Sequence, residues 1–264
     1  MDLMQQALRA GRAPALPQAP APAGVLVAGG GGALGSAVLE ALLAGRAFAP
    51  VRVLVTQDFH ATVQGLETLL VASFDDAPVA APVAGMGIVV FDRERHANGR
   101  EAAFARVQPA QLPALARWLQ RRGVRQLIVV LPHSAASLPQ ALKAGLANLD
   151  EHAVAALGFD HVVFVRSAQA PAATASTGLQ RVADAVLAQL RIMTPQPEQP
   201  VRARKVAQLV AALARRLPEA TPGTRVMAPE WVWHAAQADD LAALADAWLQ
   251  GRAPPARPAL RMRL

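Results

Sequence analysis

The residues with the clearest chemical purpose are glycines. An apolar stretch, Val25-Leu26-Val27-Ala28, gives way to Gly29-Gly30-Gly31-Gly32, and Ala33-Leu34-Gly35 then opens a segment of helical period. Glycine reaches positive φ without strain and carries no side chain, so backbone N–H groups in such a turn can approach an anion closely. The helix N-terminus behind the turn adds a partial positive charge. Strand, tight turn and helix in this order suit the pyrophosphate of a dinucleotide, held by Gly29, Gly32, Ala33, Leu34 and Gly35. Two glycine registers fit: Gly30-x-Gly32-x-x-Gly35 and Gly29-x-x-Gly32-x-x-Gly35. Ser36 stands where a P-loop needs lysine, which argues against that motif.

The next informative position is the end of the second apolar run, Val51-Arg52-Val53-Leu54-Val55. An acid there would bind a ribose 2′-hydroxyl, and a basic residue would favour a 2′-phosphate. The chain continues Thr56-Gln57-Asp58, which places Thr56 at the cofactor and Asp58 slightly late, with no arginine following. NAD and NADP both stay open.

Such a site needs a sheet to position it. Short β-branched runs alternate with helical periods, the signature of parallel βαβ units. Strands are expected at Val25–Ala28, Val51–Val55, Leu69–Ala72, Gly87–Phe91, Leu127–Leu131 and His161–Val165. Several are continuous apolar runs, as strands covered on both faces should be. Helices are expected at Ala33–Ala44, ending on Gly45 as a C′ glycine, at Pro109–Arg122, ending at Gly123, and at Leu138–Leu157. Right-handed crossovers then give an α/β fold, a doubly wound parallel sheet of Rossmann type. A small helical C-terminal subregion completes it. The expected organisation is a Pro/Ala-rich lead-in over 1–23, the dinucleotide-binding domain over 24–193, the helical subregion over 194–250 after the Pro-rich segment Thr194–Pro200, and a Pro/Arg tail over 251–264.

Composition narrows the classes further. Hydrophobic residues make up 53% and charged residues 17%, enough apolar content for a packed core. The chain has no cysteine, which removes disulfides, thiolate metal sites and cysteine nucleophiles. The net charge of +7 comes almost wholly from arginines scattered among alanines and prolines. They form no run flanked by aromatics that could stack bases, so nucleic acid is not an expected partner. Met1-Asp2-Leu3-Met4-Gln5-Gln6 lacks the apolar run of a secretory signal, and no stretch has the apolar length of a membrane span. A cytoplasmic protein without membrane partners is expected.

At this point the sequence resembles the atypical short-chain dehydrogenases/reductases, closest to the Tat-interacting-protein-like oxidoreductase branch. The resemblance covers about residues 24–168. It rests on the glycine loop with Leu42-Leu43-Ala44-Gly45-Arg46-Ala47-Phe48, on Phe104-Ala105-Arg106-Val107, on Arg122-Gly123-Val124-Arg125-Gln126-Leu127-Ile128, and on Gly158–Arg166. The register Gly29-x-x-Gly32-x-x-Gly35 is that family's version of the fingerprint. The family usually has arginine-proline where this chain has Arg166-Ser167. The resemblance implies an adenine-contacting acid after the third strand, by position Asp75 or Asp76.

It also implies a serine after the fifth strand and a Tyr-x-x-x-Lys pair on the next helix, and here the chain departs. It contains no tyrosine. Carried forward without gaps, the serine position falls on Pro132, the tyrosine position on Lys143 and the lysine position on Ala147. His133 and Ser134, at the end of a central strand, and Lys143 are the candidates for a replacement set, with a histidine able to act as general acid near neutral pH. Each is equally readable as a loop-end or solvated residue. His60, His96, His152, His161 and His234 show no metal-ligand spacing. Asp92-Arg93-Glu94-Arg95-His96 follows the fourth strand and is charged where the family tends to be small and apolar. A solvated loop is the expectation there, with a lining of the cofactor cleft as the alternative.

In the last third, Val201–Leu217 reads as an amphipathic helix with Val206, Leu209, Val210, Leu213 and Leu217 on its apolar stripe. Trp231-Val232-Trp233-His234 would either pack in the core or wall a pocket or dimer contact. The expected function is an NAD(P)(H)-binding atypical short-chain dehydrogenase-like protein without the usual catalytic Tyr/Lys, acting as a cofactor-dependent scaffold or sensor or as a non-standard reductase. The alternatives are an ordinary NAD(P)-dependent oxidoreductase on a small carbonyl or quinone, and a basic interaction module with a vestigial fold. Expected partners are the dinucleotide and a small-molecule substrate, with a homo-oligomer also compatible.

Overall fold

A computed structural model of the chain describes residues 24–58, 63–74, 82–92, 101–131, 151–166 and 203–253. Among these residues seven strands form one sheet: β1 (Val25–Ala28), β2 (Val51–Val55), β3 (Leu66–Leu70), β4 (Met86–Val90), β5 (Gln126–Leu131), β6 (His161–Arg166) and β7 (Gly223–Met227). The order is β3-β2-β1-β4-β5-β6-β7 and every neighbouring pair is parallel. This is the doubly wound α/β sheet that the alternation of runs predicts.

The reason lies in the strand sequences. In β1, Val25 and Val27 enter one core cluster while Leu26 and Ala28 enter the other. In β5, Ile128 and Val130 join the first and Leu127 and Val129 the second. Strands that are apolar on both faces need cover on both faces. The first face is covered by α1 (Gly32–Ala44), α3 (Ala203–Arg216), α4 (Pro229–Gln237) and α5 (Leu241–Leu249). The second is covered by α2 (Leu112–Arg121) and by residues around the helical stretch 151–155.

The stripe expected in the 201–217 helix is buried throughout, and Ala207, Ala211, Ala212 and Ala214 are buried with it. Residues that small let α3 lie close against α1 and its neighbours. Trp231 is core, which favours the packing reading of the tryptophan cluster, while Trp233 is partly buried against the same core. Its ring meets the His234 ring edge-on at 5.2 Å.

Four details differ from the sequence expectations. β3 runs Leu66–Leu70, three residues earlier than expected, because it is an edge strand whose half-exposed pattern does not stand out as apolar. β7 has no counterpart among the expected strands: Gly223-Thr224-Arg225-Val226-Met227 is a largely exposed edge strand with one fully buried residue, so the C-terminal stretch contributes a strand besides its helices. The helix before Gly123 begins as a short 3-10 turn, Pro109–Gln111, before α2. Gly45 is not in the left-handed conformation of a C′ glycine. It is right-handed at φ −75°, and the positive φ falls on Arg46, at 47°.

One buried group gives a pH signature. His161 opens β6, is buried, and its Nδ1 has no hydrogen-bond partner. Burial, with the Arg225 cation adding to it, holds its pKa below the ordinary 6.5, partly opposed by Asp160. The folded chain therefore takes up this proton at a lower pH than the unfolded chain, which takes it up as pH falls through 6.5. The stabilisation is complete above 6.5 and declines below it. Melting curves between about pH 8 and about pH 5 should show this decline, and His161→Leu should flatten it. An equal acid slope in the variant would contradict the assignment.

Candidate functional site

In this sheet the strand order reverses between β1 and β4, so the C-terminal ends of these two strands open the crevice where such folds bind ligands. The glycine loop leaves β1 at that crevice, and Asp92 stands two residues beyond β4 on its other side.

The glycines of the loop are not equivalent. Gly29 has φ +86° and Gly32 φ +80°, the left-handed region that side chains avoid. A Cβ on Gly29 would fall inside the carbonyl oxygen of Val90, and one on Gly35 inside the carbonyl oxygen of Gly29. At Gly32 it would stand 2.5 Å from Asp92 Oδ2. Gly30 is restricted by side chains instead: a Cβ there would lie 2.6 Å from Val53 Cγ2, with Leu39 and Phe104 close behind. Gly31, the N-cap, has an ordinary φ of −78°. The backbone demands therefore follow Gly29-x-x-Gly32-x-x-Gly35, and Gly30 serves packing.

The loop delivers α1 to the crevice with its first amides free of intrahelical partners, as every helix start must. Gly31 offers no side-chain cap, and the first turn has no acid. Leu34 N–H instead donates to Asp92 Oδ2 at 2.7 Å, across the crevice. Ser36 hydroxyl donates to Gly32 O at 2.5 Å and holds the turn from the other side. Ala33 is exposed and Leu34 partly buried.

Thr56 stands at the end of β2 as expected. Its N–H donates to Ala103 O at 2.8 Å, and its hydroxyl lies 3.3 Å from the same carbonyl oxygen. Phe104 forms an antiparallel bridge with Val55, and Ala105 N–H donates to Leu54 O at 2.9 Å. The segment 101–105 thus folds back on the end of β2 and brings Phe104 against Gly30. In the sequence Phe104 stands out only through the family resemblance, and a lone aromatic in a loop gives no signal of such a contact. For Asp92 the sequence favours a solvated loop. It is exposed, yet its carboxylate faces the glycine loop, the alternative placement.

At the end of β6, Arg166 Nη2 donates to both carboxylate oxygens of Glu151 at 3.0 Å, with Glu151 largely buried. This pair fastens the 151–155 helix to the sheet. Asp75, Asp76, Pro132, His133, Ser134, Lys143 and Ala147 lie outside the described residues. Among the described residues, no cluster of three or more metal-ligating side chains occurs, and no helix is long and apolar enough to cross a membrane.

No family model matches the chain, and no curated protein matches it. Solved structures do. The triphenylmethane reductase of Citrobacter sp. complexed with NADP(H) is 14% identical with a TM-score of 0.46, over 76% of this chain and 68% of that one. MoeE5 in complex with UDP-glucose and NAD is 15% identical with a TM-score of 0.45, over 81% of each chain. A UDP-galactose 4-epimerase is 15% identical with a TM-score of 0.39, over 86% of this chain and 99% of that one. At these values the likeness is one of sheet architecture, which the strand order already gives.

Proposed function

We propose that this chain binds NAD or NADP with the pyrophosphate on Gly29, Gly32, Ala33, Leu34 and Gly35, as an atypical short-chain dehydrogenase-like protein without the usual catalytic pair. The observation that carries this reading is the loop itself. Two glycines three residues apart hold positive φ, and the third, Gly35, meets the loop backbone where no Cβ fits. The turn opens at the strand-order reversal, with the amides of α1 facing the crevice. These residues fit a dinucleotide's phosphates. Thr56 stands at the end of the neighbouring strand, and Asp75 is proposed for the adenine side.

A bound reduced dinucleotide supplies a hydride from its nicotinamide ring. What this chain's own residues add is less than the family's usual equipment, because there is no tyrosine anywhere in the sequence. The proposed role is therefore a cofactor-dependent scaffold or sensor, or a reductase that moves its proton through His133, Ser134 or Lys143. The proposed location is the cytoplasm.

Titration of the protein with NADH and NADPH tests the reading, which expects saturable binding of at least one. Binding of neither contradicts it. A subsequent screen of cofactor oxidation against quinones, aldehydes and ketones separates the two roles. The scaffold role expects no rate above that of cofactor alone, and turnover lost in His133→Ala or Lys143→Ala assigns the reductase.

A further inference from the structure

The amide that a dinucleotide phosphate would use is already engaged by a carboxylate. Leu34 N–H, in the first turn of α1, donates to Asp92 Oδ2 at 2.7 Å. Gly32 lies beside the same oxygen, close enough that a Cβ would stand 2.5 Å from it and 3.4 Å from Asp92 Cβ. The helix has no cap of its own, from Gly31 or from an acid in the first turn. Asp92 comes from the end of β4, the strand across the order reversal. A negative charge at a helix start is favourable, and a carboxylate accepting an N–H there forms a charge-assisted hydrogen bond.

We infer that Asp92 is an internal competitor for the phosphate position, so that the free protein caps α1 with its own carboxylate and a dinucleotide must displace it. The inference rests on the dinucleotide reading of the glycine loop. Two anions cannot share one helix start without repulsion, and the Asp92 side chain is exposed to solvent, within reach of an incoming ligand. Asp92 then sets a threshold on affinity: the site fills only with a ligand whose remaining contacts outweigh both the lost cap and the residual charge. The consequence is weak binding by the wild-type chain of small anions such as inorganic pyrophosphate, which have no adenosine to compensate.

Calorimetric titration of wild type, Asp92→Asn and Asp92→Ala with NADH, NADPH and inorganic pyrophosphate tests this. Asparagine keeps an oxygen that can accept from Leu34 N–H and removes the charge. Its affinity for dinucleotide should rise about tenfold, the scale of one like-charge contact between bulk water and a protein surface. The gain should shrink as salt is added, which a merely structural effect would not do. Melting curves of both variants check that they fold, and either folded variant suffices for the comparison. Equal affinity in wild type and the folded variants overturns the inference and leaves the dinucleotide reading standing. Weaker binding in the variants overturns it as well and makes Asp92 a ligand of the dinucleotide. Dinucleotide binding to none of the three proteins removes both readings.

Discussion

Gly29→Ala should lower the melting temperature by roughly 10 °C and abolish dinucleotide binding, whereas Gly24→Ala should do neither. At Gly29 the added methyl meets two separate obstacles. The φ of +86° costs an L residue about 1–2 kcal/mol. The Cβ would also fall inside the Val90 carbonyl, which belongs to the fully buried strand β4 and cannot retreat without breaking its register with β1 and β5. Overpacking of that kind adds about 1–3 kcal/mol. At Gly24 the nearest atom to an added Cβ is the Pro50 carbonyl oxygen at 3.4 Å, ordinary contact distance. The pair isolates the loop's geometry from any general effect of alanine. A Gly29→Ala variant as stable as Gly24→Ala would show that the loop is not held in the conformation described.

The second large effect lies on the opposite face of the sheet. Trp118→Ala should cost about 3–5 kcal/mol, read from chemical denaturation, and Trp118→Phe should cost under about 1.5 kcal/mol. Trp118 is 1% exposed in α2 and is among the largest fully buried side chains of the described residues. Phe74 meets its ring edge-on at 6.1 Å, and the Arg122 guanidinium sits 4.0 Å above it. Alanine would leave a cavity under β4 and β5 and strip Arg122, itself only 8% exposed, of its aromatic cover. Phenylalanine keeps a ring in both contacts. It also removes the Trp118 Nε1–H, which is buried without a hydrogen-bond partner, so part of the lost packing is offset. Equal losses for the two variants would mean that the indole, not the ring volume, matters there.

Much of the fold is legible in the sequence because its central strands are apolar on both faces. Val25–Ala28, Val51–Val55 and Leu127–Leu131 announce themselves without any knowledge of their neighbours. The edge strands do not. In β3 the polar Glu67 and Thr68 break the apolar run, so the expected strand starts three residues late, and in β7 Thr224 and Arg225 break it so that no strand is expected; pairing with β2 and β6 fixes their bounds. The glycine loop is legible as a unit, since four consecutive glycines between an apolar strand and a helical period can only form a tight turn with exposed amides. The separate role of each glycine is not. Gly30 is confined by Val53, Leu39 and Phe104, three residues from three segments, and nothing local predicts that convergence. Asp92 shows the same limit: it is one charged residue in a charged run, and only the adjacency of β1 and β4 turns it toward Leu34. The replacement catalytic set at His133, Ser134 and Lys143 remains a proposal from sequence.

The central claim is that a dinucleotide rests on the glycine loop at the β1–β4 crevice. Hydrogen exchange followed peptide by peptide, with and without saturating NADH or NADPH, tests it where it stands. The account predicts slowed exchange in the peptide spanning residues 29–36, with no change at the opposite end of the sheet around Arg125 and Asp160. Unchanged exchange across 29–36 at saturation would contradict it.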